Sequence, residues 1–198
     1  MHTSSLEHIN RLVGKYLSGR EGLRVLDIGS LDVNGTYKRF FAHSKSTYLG
    51  LDLAAGPNVD VVLTSTYRLP VPSFSQDVIV CGQVFEHAQF FWLTWLEMVR
   101  VLRPGGLIFL VAPSRGPEHR YPQDCWRFYP DGFQALALYG GLDLLEVSTD
   151  WEPHASADSG PWGDTVGAFR QKDLSWFERV RMRCMQQVRY RLLPGFRV

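Results

Sequence analysis

Two acids, Asp27 and Asp52, and one glycine, Gly29, stand at the ends of the short apolar runs "RVLDIG" and "YLGLDL". Glycine at a strand end lets backbone approach a ligand closely. A carboxylate about 20 residues beyond such a turn can accept both hydrogen bonds of a ribose diol. Glu86 and His87 follow a third apolar run, "DVIVCGQV". The segment "SRGPEHRYPQDCWRFYPDG" follows a fourth, "GLIFLVAP", and supplies His119, Tyr121, Asp124, Trp126 and Arg127. Histidine can take a proton near neutral pH, and a long loop at the mouth of a sheet is uncommon unless it is functional. Ligand binding with proton transfer is the chemistry these residue types allow.

Something must bring them together, and the pattern around them says what. Leu6, Ile9, Leu12, Val13, Tyr16 and Leu17 recur every three or four residues and predict an amphipathic helix ending near Gly19. "LRVLDIG", "STYLGLDL", "VDVVLT", "DVIVCGQV" and "GLIFLVAP" read as five strands. "TYKRFFAH" reads as a helix after the first, and "FFWLTWLEMVRVLRPGG" as one before the fifth, stopped by Pro104 and Gly105. A helix over about 133–139, capped by Asp131 and stopped by Gly140 and Gly141, precedes two more strands, "LDLLEVSTDW" and "DTVGAFRQ". Continuously apolar strands alternating with helices indicate a parallel sheet covered on both faces, an α/β doubly wound fold. Ligands in such a sheet bind at the carboxyl ends of the strands, where every residue of the opening paragraph falls.

The bulk properties exclude several classes. With 198 residues, 45% hydrophobic and 21% charged, the chain suits one domain over 1–198, with an N-terminal helix in 1–20, a core in 21–171 and a basic C-terminal helix in 172–198. A net charge of +1 offers no overall field for a polyanion, so nucleic acid is not expected as a partner. Cys81, Cys125 and Cys184 form no CxxC pair, and no metal-ligand cluster is evident from spacing, so no metal site is expected. With no apolar leader or spanning run, a cytoplasmic protein is the expectation. Arg179, Arg181, Arg183, Arg189, Arg191 and Arg197 mark the C-terminal segment. A solvated or self-packing helix face is favoured there over a partner surface or an anionic membrane contact.

"VLDIGS", "YLGLDL", "LPVPSFSQDVIVCGQVFEH" and "VRVLRPGGLIFLVAPS" also occur together in a recognisable order. The stretch from Leu23 to Val111 resembles the class I S-adenosylmethionine-dependent methyltransferases, in particular the type 11 group that modifies small molecules and glycans. "EH" followed by "LRPGG" is the most specific part of the likeness. The resemblance implies a mainly parallel, seven-stranded Rossmann-like sheet whose last strand inserts antiparallel beside the fifth. It implies S-adenosylmethionine as cofactor, with Asp27, Gly29 and Ser30 along the methionine moiety, Asp52 on the ribose hydroxyls and Leu53 on adenine. Glu86 follows the fourth strand on the cofactor side. Two positions depart from the family pattern: "GSLDVNG" replaces GxGxG, and Ser65, followed by Thr66, replaces the usual adenine-contacting acid.

The implied reaction is methyl transfer to a small hydroxylated acceptor, such as a sugar of a glycan or a natural product. His119 is the first candidate base and His87 the second, with Tyr121, Asp124, Trp126 and Arg127 as substrate contacts. Trp126 could instead bury, and Arg127 pair with Asp124 to hold the loop. N-methylation of an amine and a non-catalytic binding module stay open as alternatives. An NAD-dependent oxidoreductase shares Asp52 but would need a G-x-G-x-x-G turn that this chain lacks. Oligomeric state is not legible.

Overall fold

The computed structural model describes residues 2–173 together with 175, 177, 178, 180 and 184. Helix α1 spans Thr3–Leu17. Strands follow at β1 (Arg24–Ile28), β2 (Thr47–Asp52), β3 (Val61–Val62), β4 (Gln76–Gly82), β5 (Leu102–Pro113), β6 (Asp143–Thr149) and β7 (Asp164–Arg170). Helix α2 (Phe91–Val101) precedes β5, and α3 (Pro130–Gly140) precedes β6. The seven strands form one sheet in the order β3-β2-β1-β4-β5-β7-β6. β1 to β5 pair in parallel, whereas β7 runs antiparallel between β5 and β6. This is the Rossmann-like methyltransferase sheet, with the antiparallel last strand beside the fifth.

Period-two alternation along the central strands divides their apolar side chains between two cores. Val25, Val78, Val80, Leu107, Phe109 and Val111 face α1, whose Leu6, Ile9 and Leu12 are buried against them. Leu26, Ile79, Cys81, Ile108 and Leu110 face the other way, onto Trp95, Met98 and Val99 of α2 and Phe133 and Leu136 of α3. Each strand is therefore apolar on both sides, which is why the runs read as continuous.

Three boundaries differ from the sequence reading. The segment after β1 forms only a 3-10 turn at Tyr37–Phe40, capped by the Thr36 hydroxyl accepting from the Lys38 amide, and α1 covers that face instead. Helix α2 stops at Val101 rather than at Pro104, because β5 begins at Leu102 with extended backbone and Leu102 pairs with Gln76. Helix α3 is N-capped by Tyr129 and starts on Pro130; Asp131 lies in its first turn and does not cap it. The basic C-terminal helix expected in 172–198 lies largely outside the described residues, as do all six of its named arginines. Among the described residues no helix is long and apolar enough to cross a membrane.

Candidate active site

The carboxyl ends of β1, β2, β4 and β5 open into a cavity of about 670 Å³. That volume is in the range of small-molecule sites. In strand order, Asp52 and His119 follow strands three spacings apart, about 14 Å at the ordinary strand separation. An extended ligand lying across the strand ends can thus touch both.

Asp52 is positioned by backbone. Its Oδ2 accepts from the Leu31 amide at 3.1 Å and its Oδ1 from the Ala54 amide at 3.0 Å. A carboxylate has about four acceptor sites, so each oxygen keeps one for a ligand hydroxyl. Apolar walls flank it: Ile28, Leu31, Leu51, Leu53 and Leu63 line the cavity around Asp52, with Thr66 beside them. Gly29 holds a positive φ of 83°, and a Cβ there would come within 2.2 Å of Val84 Cγ2. Only glycine fits this turn.

The turn binds differently from the helix start anticipated after β1. The amides of Gly29 and Ser30 both donate to the Leu51 carbonyl, at 2.9 and 3.1 Å, and Gly35 donates to Asp32 Oδ1 at 2.8 Å. The loop is therefore held by β2 and by itself, and Val33 and Asn34 form the cavity wall there.

At the β4 and β5 end the wall is aromatic. His87 and His119 lie with ring centroids 4.8 Å apart, His119 is 4.3 Å from Trp162, and His2 stacks on Trp162 at 5.0 Å. Tyr121 lies 6.4 Å from His87. His87 Nδ1 lies 2.6 Å from the Gln123 carbonyl, and Gln123 Nε2 donates back to the His87 carbonyl at 3.0 Å. Burial holds the imidazoles of His87 and His2 below their ordinary pKa.

The cavity thus brings together Gly29, Asp52, Leu53, Thr66, His87, His119 and Tyr121. The other sequence candidates lie behind its lining. Ser30 is fully buried, and Ser65 Oγ accepts from the Tyr67 amide at 3.1 Å. Asp124 and Arg127 form a two-pronged ion pair, at 2.6 and 2.8 Å, and Asp124 also accepts from the His119 amide at 2.8 Å. The Arg127 guanidinium holds the Asp124 carboxyl far below the usual carboxylate range. Trp126 Nε1 donates to the Ala88 and Gln89 carbonyls. These three side chains fix the loop that carries His119. Sequence reading missed His2, Gln83 and Arg120 in the lining. Gln83 had one local signal, its place directly after β4, and its Nε2 donates to Asp164 at 2.9 Å. His2 had none, since long-range contacts such as the Ser4–Asp164 bond of 2.7 Å and the Thr3–Asp158 bond of 2.9 Å bring the start of α1 to this end of the sheet.

Asp27 and Glu86 are completely buried carboxyls. Asp27 accepts from the Tyr48 hydroxyl at 2.6 Å, yet burial raises its pKa to about 7. Glu86 is raised to about 8 by burial. The sign of the Asp27 linkage follows: the unfolded carboxyl ionises near 3.8 and the folded one near 7. Its contribution to stability is full below the unfolded value and is lost as pH rises through the folded one. In urea unfolding at pH 4 and pH 8, Asp27→Asn should flatten the wild-type decline by ~2 to 4 kcal/mol. Equal pH slopes in the two proteins would remove Asp27 as its source.

Comparison with known proteins fits this geometry. Residues 26–110 match the family model described as "Methyltransferase domain". An uncharacterised methyltransferase of Mycobacterium avium (strain 104) is 30% identical over 189 residues, covering 82% of this chain and 68% of the relative. The chain belongs to the class I S-adenosylmethionine-dependent methyltransferases. A second uncharacterised methyltransferase, from Mycolicibacterium paratuberculosis, is 29% identical over 174 residues, with 74% of this chain and 63% of the relative covered. The chain thus spans about two thirds of the length of these relatives.

Among solved structures, the 1,6-didemethyltoxoflavin-N1-methyltransferase of Burkholderia thailandensis, with bound 1,6-didemethyltoxoflavin and S-adenosylhomocysteine, superposes with a TM-score of 0.67 at 15% identity. It covers 86% of this chain and 79% of the other. An S-adenosylmethionine-dependent methyltransferase of Mesorhizobium loti gives 0.58 at 14% identity over 76% of this chain and 92% of that one. At these identities the likeness is one of fold. The donor set around Asp52 nevertheless suits the family's cofactor: an apolar slot for a base, a carboxylate with spare acceptor sites for a ribose, and a tight glycine turn beside them.

Proposed function

We propose that this methyltransferase O-methylates a small hydroxylated acceptor, such as a sugar of a glycan or of a natural product. The observation that carries the reading is the polarity of the cavity. A ribose-competent carboxylate lies at the β2 end, and a wall of two imidazoles and Tyr121 lies at the β4 and β5 end. When bound, S-adenosylmethionine supplies an electrophilic methyl group on a sulfonium. In this reading Asp52 receives the ribose hydroxyls, Leu53 packs on adenine, and Gly29 lets the chain run close under the methionine part. That placement leaves the acceptor facing His87, His119 and Tyr121.

An acceptor hydroxyl attacks the methyl carbon, the carbon–sulfur bond breaks with its electron pair going to sulfur, and the hydroxyl proton must leave. The histidine wall is where it leaves, with His119 the first candidate to assist and His87 the second. Holding the two reactants in line supplies a further ~7 to 11 kcal/mol in favourable cases.

The test is transfer of a labelled methyl group from S-adenosylmethionine into panels of sugars, aminoglycosides and phenolics. Labelled methyl ethers among hydroxylated acceptors are the expected product. Label found only on nitrogen would replace O- by N-methylation, and cofactor binding without transfer to any panel would favour a binding module.

A further inference from the structure

The fold assembles one cluster that sequence spacing did not disclose. Glu86, His87 and His119 each offer a ligand atom, and these atoms all lie within 4.8 Å of one another. We propose that the three form a binding site for a divalent first-row cation of the zinc type.

Four features support the site. Both oxygens of the fully buried Glu86 carboxyl lack a hydrogen-bond partner among the described residues, and a buried carboxyl without partners is costly unless an ion or water satisfies it. The Gln123 carbonyl can only accept, so the His87 proton sits on Nδ1 and the Nε2 lone pair remains, 3.6 Å from Glu86 Oε1. Metal-binding histidines are oriented by such a hydrogen bond from the other ring nitrogen. His119 has a carboxylate behind it as well: Asp124 Oδ2 lies 3.4 Å from its Nδ1, and Asp124 is itself held by Arg127. Finally, His87 and His119 line the cavity whereas Glu86 does not, so three protein ligands would stand on one side of the ion with the open side toward the acceptor.

Two imidazoles, one carboxylate and an open position make a ligand set that catalytic zinc adopts, with bonds of about 2.0 to 2.2 Å. Tetrahedral bonds of that length set ligand atoms roughly 3.4 Å apart, so the widest pair, within 4.8 Å here, would close by rotation of the imidazole side chains while the loop backbone stays fixed. The chemical role rests on the proposed O-methylation: an acceptor hydroxyl held there would be acidified and would give its proton to water on the open side, so that His119 and His87 would assist proton removal as ligands of the ion. Cation binding itself does not depend on that reading.

Chelator-treated full-length protein should bind Zn²⁺ in a 1:1 calorimetric titration. Co²⁺ in its place should give the visible absorption bands of a low-coordinate site. Glu86→Gln and His119→Gln should each weaken the affinity by tenfold or more and bleach the bands, whereas a Cys125→Ser/Cys184→Ser double variant should change neither. The far-ultraviolet circular dichroism spectrum and cooperative thermal unfolding of each variant confirm that it is folded. Absence of 1:1 binding, affinity unchanged in folded Glu86→Gln and His119→Gln, or loss of binding with the cysteines would overturn the site. A site that binds the ion while label transfer fails would uphold it and reject the O-methylation reading alone.

Discussion

Replacing His119 with alanine should lower the single-turnover rate of methyl transfer by ~100-fold or more, the usual contribution of assisted proton removal. Affinity for S-adenosylhomocysteine should stay within a few-fold of wild type. The two effects separate because His119 stands at the β5 end of the cavity and Asp52 at the β2 end. The loop should survive the substitution, since its main bonds involve other groups. The His119 amide, not its ring, donates to Asp124, and Arg127 and Trp126 tie the segment to Asp124, Pro117, Ala88 and Gln89. The measurement is rapid-quench label transfer at saturating acceptor, using an acceptor found in the panel. A saturated rate near wild type with a raised acceptor KM would make His119 a shaping residue, because loss from the chemical step lowers kcat and kcat/KM together.

The central strands were legible because they are buried on both faces and therefore continuously apolar: all seven residues of β4 are buried. β3 was overread, since only Val61 and Val62 pair with Leu51 and Asp52. The helix expected at 36–43 failed for a packing reason. α1 reaches that face, its Ser5 hydroxyl 2.5 Å from the Tyr37 hydroxyl, and only a 3-10 turn is needed to bury Tyr37.

At the site, single residues were legible and their combination was not. Asp52 and Gly29 could be found because local rules link them to strand ends. Glu86, His87 and His119 were each singled out, but no spacing rule joins residues on β4 and β5 loops. Their proximity depends on the Asp124–Arg127 pair and on the Cys125 and Trp126 amides donating to the Glu86 carbonyl. Those same polar groups explain why Asp124, Trp126 and Arg127 looked functional from sequence: a loop that must hold a fixed shape needs them as much as a substrate would.

The second large effect belongs to Asp52. Its carboxylate is the cavity-lining acid at the end of β2, fixed by the Leu31 and Ala54 amides. In the proposed role as ribose acceptor, removing it deletes charge-assisted hydrogen bonds worth ~1.5 to 3 kcal/mol, equivalent to roughly tenfold or more in affinity. It also releases two backbone amides of the loops that shape the site. Asp52→Asn separates the two effects, because it keeps one acceptor oxygen and the side-chain volume while losing the charge. Calorimetric titration of wild type, Asp52→Asn and Asp52→Ala with S-adenosylhomocysteine, with NAD as the competing dinucleotide, tests the account most directly. It predicts one saturable site for S-adenosylhomocysteine in wild type, progressive weakening through Asn to Ala, and no site for NAD. Unchanged affinity in a folded Asp52→Ala protein, or binding of NAD in preference, would contradict it.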